Sequence, residues 1–188
     1  MKKKIAFIGI KALPANAGVD TVVEKIVGRL DRQRYEPVVY VNRALVPPDT
    51  VIPGVRLVRI PTVSGKYLNA TVLFLLSALH ALFRGDYDLI NVHSVETCFV
   101  LPILRLRYKV IVTAHGLARM EPAGLGKWGW ARPFLVIPEI PFTFLSNERT
   151  SVSKPDADFL EQRYGRRVHY LPNGIDELKP DLERARAL

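Results

Sequence analysis

The hydrophobic pattern at the start of the chain predicts a buried strand followed by an amphipathic helix. From Ile5 to Ile10 no side chain is polar, which is the length and character of a strand covered on both faces. A loop that ends in Gly18 follows. Apolar residues from Val19 to Leu30 then recur at spacings of three and four, which places them on one face of a helix. A strand, a glycine-containing loop and a helix in this order are typical of the start of a doubly wound α/β domain.

The same alternation continues along the chain. Further strands are predicted at 37–42, 55–60, 88–92, 108–113, 150–153 and 168–171. Helices are predicted at 67–83, at 95–106 with a bend at Pro102, at 134–144 with kinks at Pro138 and Pro141, and from Lys154 to Gly165. We therefore predict an α/β fold with a Rossmann-like, doubly wound, mostly parallel seven-stranded sheet and helices on both faces.

The helix predicted at 67–83 is the most apolar one in the chain. It is shorter than the roughly 20 residues that span a bilayer, so we expect a core helix. The first residues, Met-Lys-Lys-Lys, are similar to the start of an export signal. Lys11 interrupts the apolar run after them, which favours the strand instead.

The net charge of +9 favours contact with phosphate groups or an anionic membrane surface. The positive charge is spread along the chain, and no helix-turn-helix, zinc-finger or RNP-type motif accompanies it, so nucleic-acid binding is not predicted. The single cysteine, Cys98, excludes an internal disulfide and suits a reducing cytoplasm.

Several candidate functional residues follow predicted strands. Gly18, His93, His115 and Asn173 would all lie at the carboxyl edge of a parallel sheet, where ligands bind. His115 is the strongest candidate. An imidazole at the end of a buried strand, with Gly116 leaving room beside it, can donate a hydrogen bond or exchange a proton.

The alternative for both histidines is a structural role with no ligand contact. The other two histidines are predicted to have no function in a site. His80 lies in the apolar helix at its core or edge, and His169 alternates outward in the last strand.

Asp86 and Asp88 form an Asp-x-Asp pair of the kind that can bind a metal and a nucleotide-sugar diphosphate. They precede the fourth strand, which places them at the amino-terminal edge, opposite the expected site. We predict solvated loop acids here. Since no other cluster has the spacing of a metal site, the predicted site is metal-independent.

A basic and aromatic loop follows His115. Arg119 and Lys127 can hold phosphate groups, and Trp128 and Trp130 can stack on a sugar or contact a membrane interface. Alternatively, the tryptophans only pin this loop to the core.

Motifs that cover nearly the whole chain carry a family resemblance. They lie at 4–10, 13–20, 22–30, 87–93, 112–117, 127–129, 151–153 and 171–176, and the most specific are His-Gly at 115–116 and Pro-Asn-Gly-Ile-Asp at 172–176. With these motifs the chain resembles the amino-terminal half of GT-B glycosyltransferases of the large retaining group called family 4. Bacterial enzymes that build surface polysaccharides, including rhamnosyltransferase-like members, are the most similar subgroup.

The resemblance implies one half of a two-domain enzyme. Such an enzyme moves a sugar from a nucleotide-diphosphate sugar to a saccharide or lipid-linked acceptor, with retention, without a metal and with no cofactor beyond the nucleotide-sugar substrate. We expect a cytoplasmic protein, and the positive charge adds the hypothesis of a peripheral position on the anionic inner membrane face.

The resemblance also assigns roles to individual residues. His115 would be catalytic, and Gly18 and Asp20 would contact the donor phosphates. The implied acceptor contacts are His93, Arg119, Lys127 and Trp128, and the implied hinge residues are Asn173, Gly174 and Asp176. The chain departs from the family in having Ala17 where a tandem glycine is usual and Asp20 where a glutamate is usual.

We expect residues 1–176 to form the acceptor-side domain and residues 177–188 to begin the hinge to a carboxyl-terminal donor domain. Without that second domain we expect this chain to be inactive. Two other functions share the fold: a non-catalytic module that binds a phosphorylated sugar or lipid headgroup, and one half of a nucleotide-sugar epimerase.

Overall fold

The computed structural model describes residues 1–16, 18–117 and 136–174. The strands in these ranges are β1 Lys3–Ile8, β2 Tyr35–Asn42, β3 Arg56–Ile60, β4 Leu89–His93, β5 Val110–Ala114, β6 Glu148–Ser151 and β7 His169–Tyr170. The helices are α1 Gly18–Arg29, α2 Lys66–Arg84, α3 Leu101–Leu104, α4 Glu139–Leu145 and α5 Lys154–Tyr164, with a 3-10 helix at Val95–Val100.

The strands form one sheet in the order β3-β2-β1-β4-β5-β6-β7, and every pairing is parallel. The strand order reverses between β1 and β4, which pair in the register Ile5 to Leu89 and Phe7 to Asn91. In such sheets the crevice outside the carboxyl ends of the two strands is the usual ligand site. The structure thus confirms the predicted fold class.

Side chains of β1 alternate between two buried apolar clusters, one on each face of the sheet. Ala6 and Ile8 belong to the cluster that contains Leu73 of α2. Phe7 belongs to the cluster that contains Val23 of α1. Because helices cover both faces, the strand needs apolar residues at every position, which explains its unbroken apolar run.

Most predicted elements are confirmed within two or three residues. The helix expected at 95–106 is divided into the 3-10 helix and α3, and Pro102 lies in the first turn of α3. Proline is tolerated there because the N–H groups of the first turn have no partner within the helix. In the segment expected at 134–144, α4 begins only after Pro138, and residues 134 and 135 lie outside the described ranges.

The expectation of a core helix at 67–83 is correct for one face of α2 only. Leu73, Ala78 and Ala81 are buried against the sheet, whereas Leu68 and Phe83 on the opposite face are exposed. The sequence did not distinguish the two faces, because apolar residues surround the helix. Within the described residues, no helix is both long and apolar enough to cross a membrane.

Candidate functional site

Three neighbouring strands bring Gly9, His93 and His115 together at the carboxyl edge of the sheet. Gly9 follows β1, His93 ends β4, and His115 follows β5. These positions surround the point where the strand order reverses. The sequence predicted this edge and both histidines, but it did not single out Gly9.

The backbone of Gly9 lies directly against the backbone of His93. A Cβ atom built on Gly9 would lie 2.1 Å from the carbonyl oxygen of His93, and the φ angle of Gly9 is +107°. Both features require glycine, since other residues clash here and rarely adopt this conformation. The end of β1 can therefore approach β4 only because residue 9 has no side chain.

The two histidine side chains form a hydrogen-bonded pair. Nδ1 of His93 lies 2.9 Å from Nε2 of His115, and the two rings are inclined by 27°. His93 is 0% exposed, and its ring also stacks on Phe7 at a centroid distance of 6.2 Å. His93 thus fits a positioning role beneath His115, and its burial is inconsistent with the acceptor contact expected from the sequence.

Both imidazoles are held in the neutral form. Burial, followed by the nearby His115, lowers the pKa of His93 to about 3. Burial also lowers the pKa of His115. A hydrogen bond between two neutral imidazoles needs one N–H and one lone pair, so a single proton lies between the rings.

The surroundings of His93 favour one of the two tautomers. Its Nε2 atom is buried and has no hydrogen-bond partner among the described residues. An unpaired buried N–H costs more than an unpaired lone pair, so we place the proton on Nδ1 of His93. His115 then accepts at Nε2 and carries its own proton on Nδ1, as a hydrogen-bond donor.

The backbone turns sharply after each histidine. Ser94 has a φ angle of 73° and Gly116 one of 124°, both in the region that side chains rarely adopt. Non-glycine residues in this region often lie at functional sites, where the surrounding structure holds them in place. These two turns directly follow the paired histidines, where β4 and β5 end.

The loop between β1 and α1 is held by Asp20. The carboxylate of Asp20 accepts hydrogen bonds from the backbone N–H groups of Lys11 at 3.0 Å and Asn16 at 3.4 Å. Its side chain is buried, at 2% exposure. Gly18 begins α1, and a Cβ atom there would meet no atom within 4 Å. Space is therefore open at Gly18, while Asp20 faces the loop.

A second polar cluster, not identified from the sequence, lies beyond β2. Asn42 donates to Asn69 at 3.1 Å and accepts from Thr62 at 3.1 Å, and Asn69 donates to Thr62 at 2.9 Å. The three side chains satisfy one another and hold the start of α2 against the end of β2. Isolated Asn and Thr residues gave no signal of this contact, because they are far apart in sequence.

The remaining predicted site residues fall into two groups. Asn173 and Gly174 are described and exposed, three and four residues beyond the end of β7. The others lie outside the described residues: Arg119, Lys127, Trp128, Trp130 and Asp176.

The two acids predicted to be away from the site are at the opposite edge. The Asp88 carboxylate accepts from the backbone N–H of Lys4 at 2.8 Å, and exposed Asp86 lies 3.5 Å from the Lys4 ammonium. Among the described residues, no group of three or more His, Cys, Asp or Glu side chains is arranged to hold a metal. His169 is exposed on β7, as predicted, and lies 3.5 Å from Glu148.

Comparison with known proteins agrees with this architecture. A solved structure of sucrose-phosphate synthase from Thermosynechococcus elongatus superposes with a TM-score of 0.70 at 16% sequence identity. The match covers 100% of this chain and 53% of the synthase chain, so this chain spans about half of that structure. The fold is that of one half of a GT-B glycosyltransferase.

The family follows from the sequence match. No protein with a curated description matches the chain. A family model described as Glycosyltransferase Family 4 matches residues 16–177, which is most of the chain. The chain therefore belongs to glycosyltransferase family 4.

Proposed function

We propose that this chain is the acceptor-side, amino-terminal half of a retaining, metal-independent glycosyltransferase. It moves a sugar from a nucleotide-diphosphate sugar to a saccharide or lipid-linked acceptor in bacterial surface-polysaccharide synthesis, as rhamnosyltransferase-like enzymes do. The observation that carries the proposal is the His93–His115 pair at the carboxyl edge of the sheet, 2.9 Å between nitrogens. Family membership and the GT-B fold support it.

In this transfer the bond between the sugar C1 and the diphosphate oxygen breaks. The acceptor oxygen bonds to C1 on the same face of the sugar, and its proton leaves with the diphosphate. His115 suits the role of a neutral hydrogen-bond donor to an oxygen of the reacting sugar. Its lowered pKa makes it a poor base near neutral pH, whereas a neutral N–H donor needs no ionisation.

The donor diphosphate lies at the start of α1 in this proposal. The first N–H groups of a helix have no partner within it, so they can bind an anion. Open space at Gly18 allows the phosphate to approach. Asp20 acts indirectly, by holding the loop at Lys11 and Asn16.

Further residues complete the proposed site. Arg119, Lys127 and Trp128 contact the acceptor, and Asn173, Gly174 and Asp176 form the hinge. Residues 1–176 are the acceptor-side domain, and 177–188 lead to a donor domain that supplies most contacts to the nucleotide. The reaction takes place in the cytoplasm, with no cofactor beyond the nucleotide sugar.

The test is turnover of a panel of nucleotide sugars by the full-length product of the gene that contains this chain. His115→Ala should lower kcat by about 100-fold or more, as loss of one donor to the reacting centre does elsewhere. His169→Ala is the matched control, because this histidine is exposed on β7, which β6 separates from β5. It should retain full turnover.

Two results would contradict the proposal. If no nucleotide sugar is turned over but a phosphorylated sugar binds, the chain is part of a non-catalytic module. If a nucleotide sugar is isomerised without an acceptor, the chain is half of an epimerase.

A further inference from the structure

The outer face of α2 is an unbroken apolar stripe. Its residues share one arc of about 100° around the helix, at 100° per residue. They are Leu68, Val72, Leu75, Leu76, Leu79 and Phe83. We refer to this set as the outer stripe.

The outer stripe is open to solvent although the helix is packed on its other side. Phe83 is 73% exposed and Leu68 is 59% exposed, at opposite ends of the helix. Leu75 and Leu76 between them are also exposed. A row of large apolar side chains from Leu68 to Phe83, a length of about 24 Å, marks a surface that is covered by a partner.

The charged residues of α2 and of the segment before it are all basic. No acidic residue occurs from residue 50 to residue 85, whereas Arg56, Arg59, Lys66 and Arg84 lie in that range. Burial lowers the pKa of His80 in α2, and Arg56 and Arg84 lie close enough to lower it further. The Arg107 guanidinium donates to the carbonyl of Leu82 at 3.0 Å. Three guanidinium groups, those of Arg56, Arg84 and Arg107, therefore lie near the carboxyl-terminal half of α2, and the exposed Asp86 carboxylate follows the end of the helix.

This combination matches an anionic lipid surface better than it matches a second copy of the chain. Two copies that met along α2 would place basic residues of both chains in one interface, in a protein of net charge +9. An anionic bilayer instead attracts those groups while its acyl region accepts the Leu and Phe side chains. Charge complementarity therefore selects the membrane.

We propose that the outer stripe of α2 docks this domain on an anionic membrane, with the helix lying in the plane of the interface. Phe83 and Leu68 enter the headgroup region, and Arg84 and Arg107 contact lipid phosphates. The start of α2 is held at the carboxyl edge of the sheet by the Asn42–Asn69 hydrogen bond. Docking along α2 therefore brings that edge beside the bilayer, which on the proposed function is where a lipid-linked acceptor would enter.

The test is cosedimentation with phosphatidylcholine vesicles, with and without phosphatidylglycerol, at low and physiological ionic strength. We expect binding only to vesicles that contain phosphatidylglycerol. Phe83→Glu and Leu68→Glu should each lower the partition coefficient by about tenfold. Leu171→Glu is the matched control: it removes a leucine of similar exposure, 61%, at the other end of the sheet, and should bind like the unmodified protein.

Exposed positions are chosen so that the fold is retained, which circular dichroism and thermal melting check for each variant. Absence of binding to anionic vesicles at low ionic strength would overturn the proposal, as would equal binding by all variants. So would a dimer in sedimentation equilibrium that Leu68→Glu dissociates without any vesicle binding, since the stripe would then join two copies. Vesicle binding needs no sugar donor, so its failure is separate from failure of the proposed transfer.

Discussion

Nδ1 of His93 lies 2.9 Å from Nε2 of His115, so a fully buried imidazole at the end of β4 holds a half-buried one beyond β5. The pair spans two neighbouring parallel strands, and its geometry is set by the register His93 to Thr113. Phe7 of β1 packs against the far side of His93. The core of the sheet thereby determines the orientation of the one side chain proposed to touch the reacting sugar.

Removing the hydrogen bond from His93 should impair turnover more than substrate binding. We expect His93→Leu to lower kcat by about tenfold, which is the value of one hydrogen bond of about 1.4 kcal/mol, with little change in KM. His93→Asn can still donate near the Nδ1 position and should restore most of the loss. Steady-state kinetics on variants with matched melting temperatures would measure the changes in kcat and in KM separately. Equal kcat values for the Leu and Asn variants would refute the positioning role.

Acidification should destabilise the protein through His93. Its pKa is about 3 in the folded state and about 6.5 when unfolded, so the unfolded state binds more protons as the pH falls. Its contribution is complete above about pH 6.5 and is lost toward about pH 3. Between about pH 7.5 and about pH 5, the native protein should lose about 2 kcal/mol more unfolding free energy than His93→Leu.

Urea titrations at the two pH values would measure this difference. Leu171→Ala is the control, because it removes an exposed side chain that does not titrate and leaves His93 in place, so it should follow the pH dependence of the native protein. A native protein and a His93→Leu variant with parallel pH dependence would show that His93 is not held neutral by the fold.

Gly9→Ala should destabilise the fold by about 3 kcal/mol. The new Cβ atom would lie 2.1 Å from the His93 carbonyl oxygen, and the φ angle of +107° is unfavourable for alanine. Gly28→Ala is the matched control: it lies within α1 with no atom within 4 Å of a new Cβ, so it should stabilise the protein by about 0.5 kcal/mol. Urea denaturation compares the two, and a Gly9→Ala midpoint equal to that of the native protein would contradict the close contact.

Asp20→Ala should release the loop before α1. Loss of two hydrogen bonds to a buried carboxylate should cost about 2 to 3 kcal/mol, and the amides of Lys11 and Asn16 should exchange hydrogen faster. Asp158→Ala removes only an exposed ion pair with Lys154, and should change stability by less than about 0.5 kcal/mol. Unchanged exchange at residues 11 and 16 in Asp20→Ala would argue against this role.

The order of elements could be predicted because each buried strand needs apolar residues on both faces and each helix repeats at three and four residues. β1 and α1 illustrate both patterns. The outer face of α2 could not be predicted, since apolar residues surround that helix and periodicity cannot show which side the sheet covers. Pro102 predicted a bend within one helix. In the structure it lies in the first turn of α3, directly after the 3-10 helix.

The edge that holds the site was predictable, but the contacts within it were not. Parallel strands place His93 and His115 at one edge, yet only the strand order shows that β4 and β5 are neighbours. In the sequence Gly9 is one more residue of an apolar strand, because the sequence does not show that its φ angle is positive. The resemblance assigned a phosphate contact to Asp20. In the structure its carboxylate accepts hydrogen bonds from the backbone N–H groups of Lys11 and Asn16 in the preceding loop.

A double-mutant cycle on kcat/KM with a nucleotide-sugar donor tests most directly whether the histidine pair acts as one unit. The cycle compares His93→Leu, His115→Ala and the double variant. If His93 acts only through His115, the double variant should be no slower than His115→Ala alone. If the two fold-losses in kcat/KM multiply in the double variant, His93 does not act through His115. Full turnover by His115→Ala would show that His115 is not needed for the transfer.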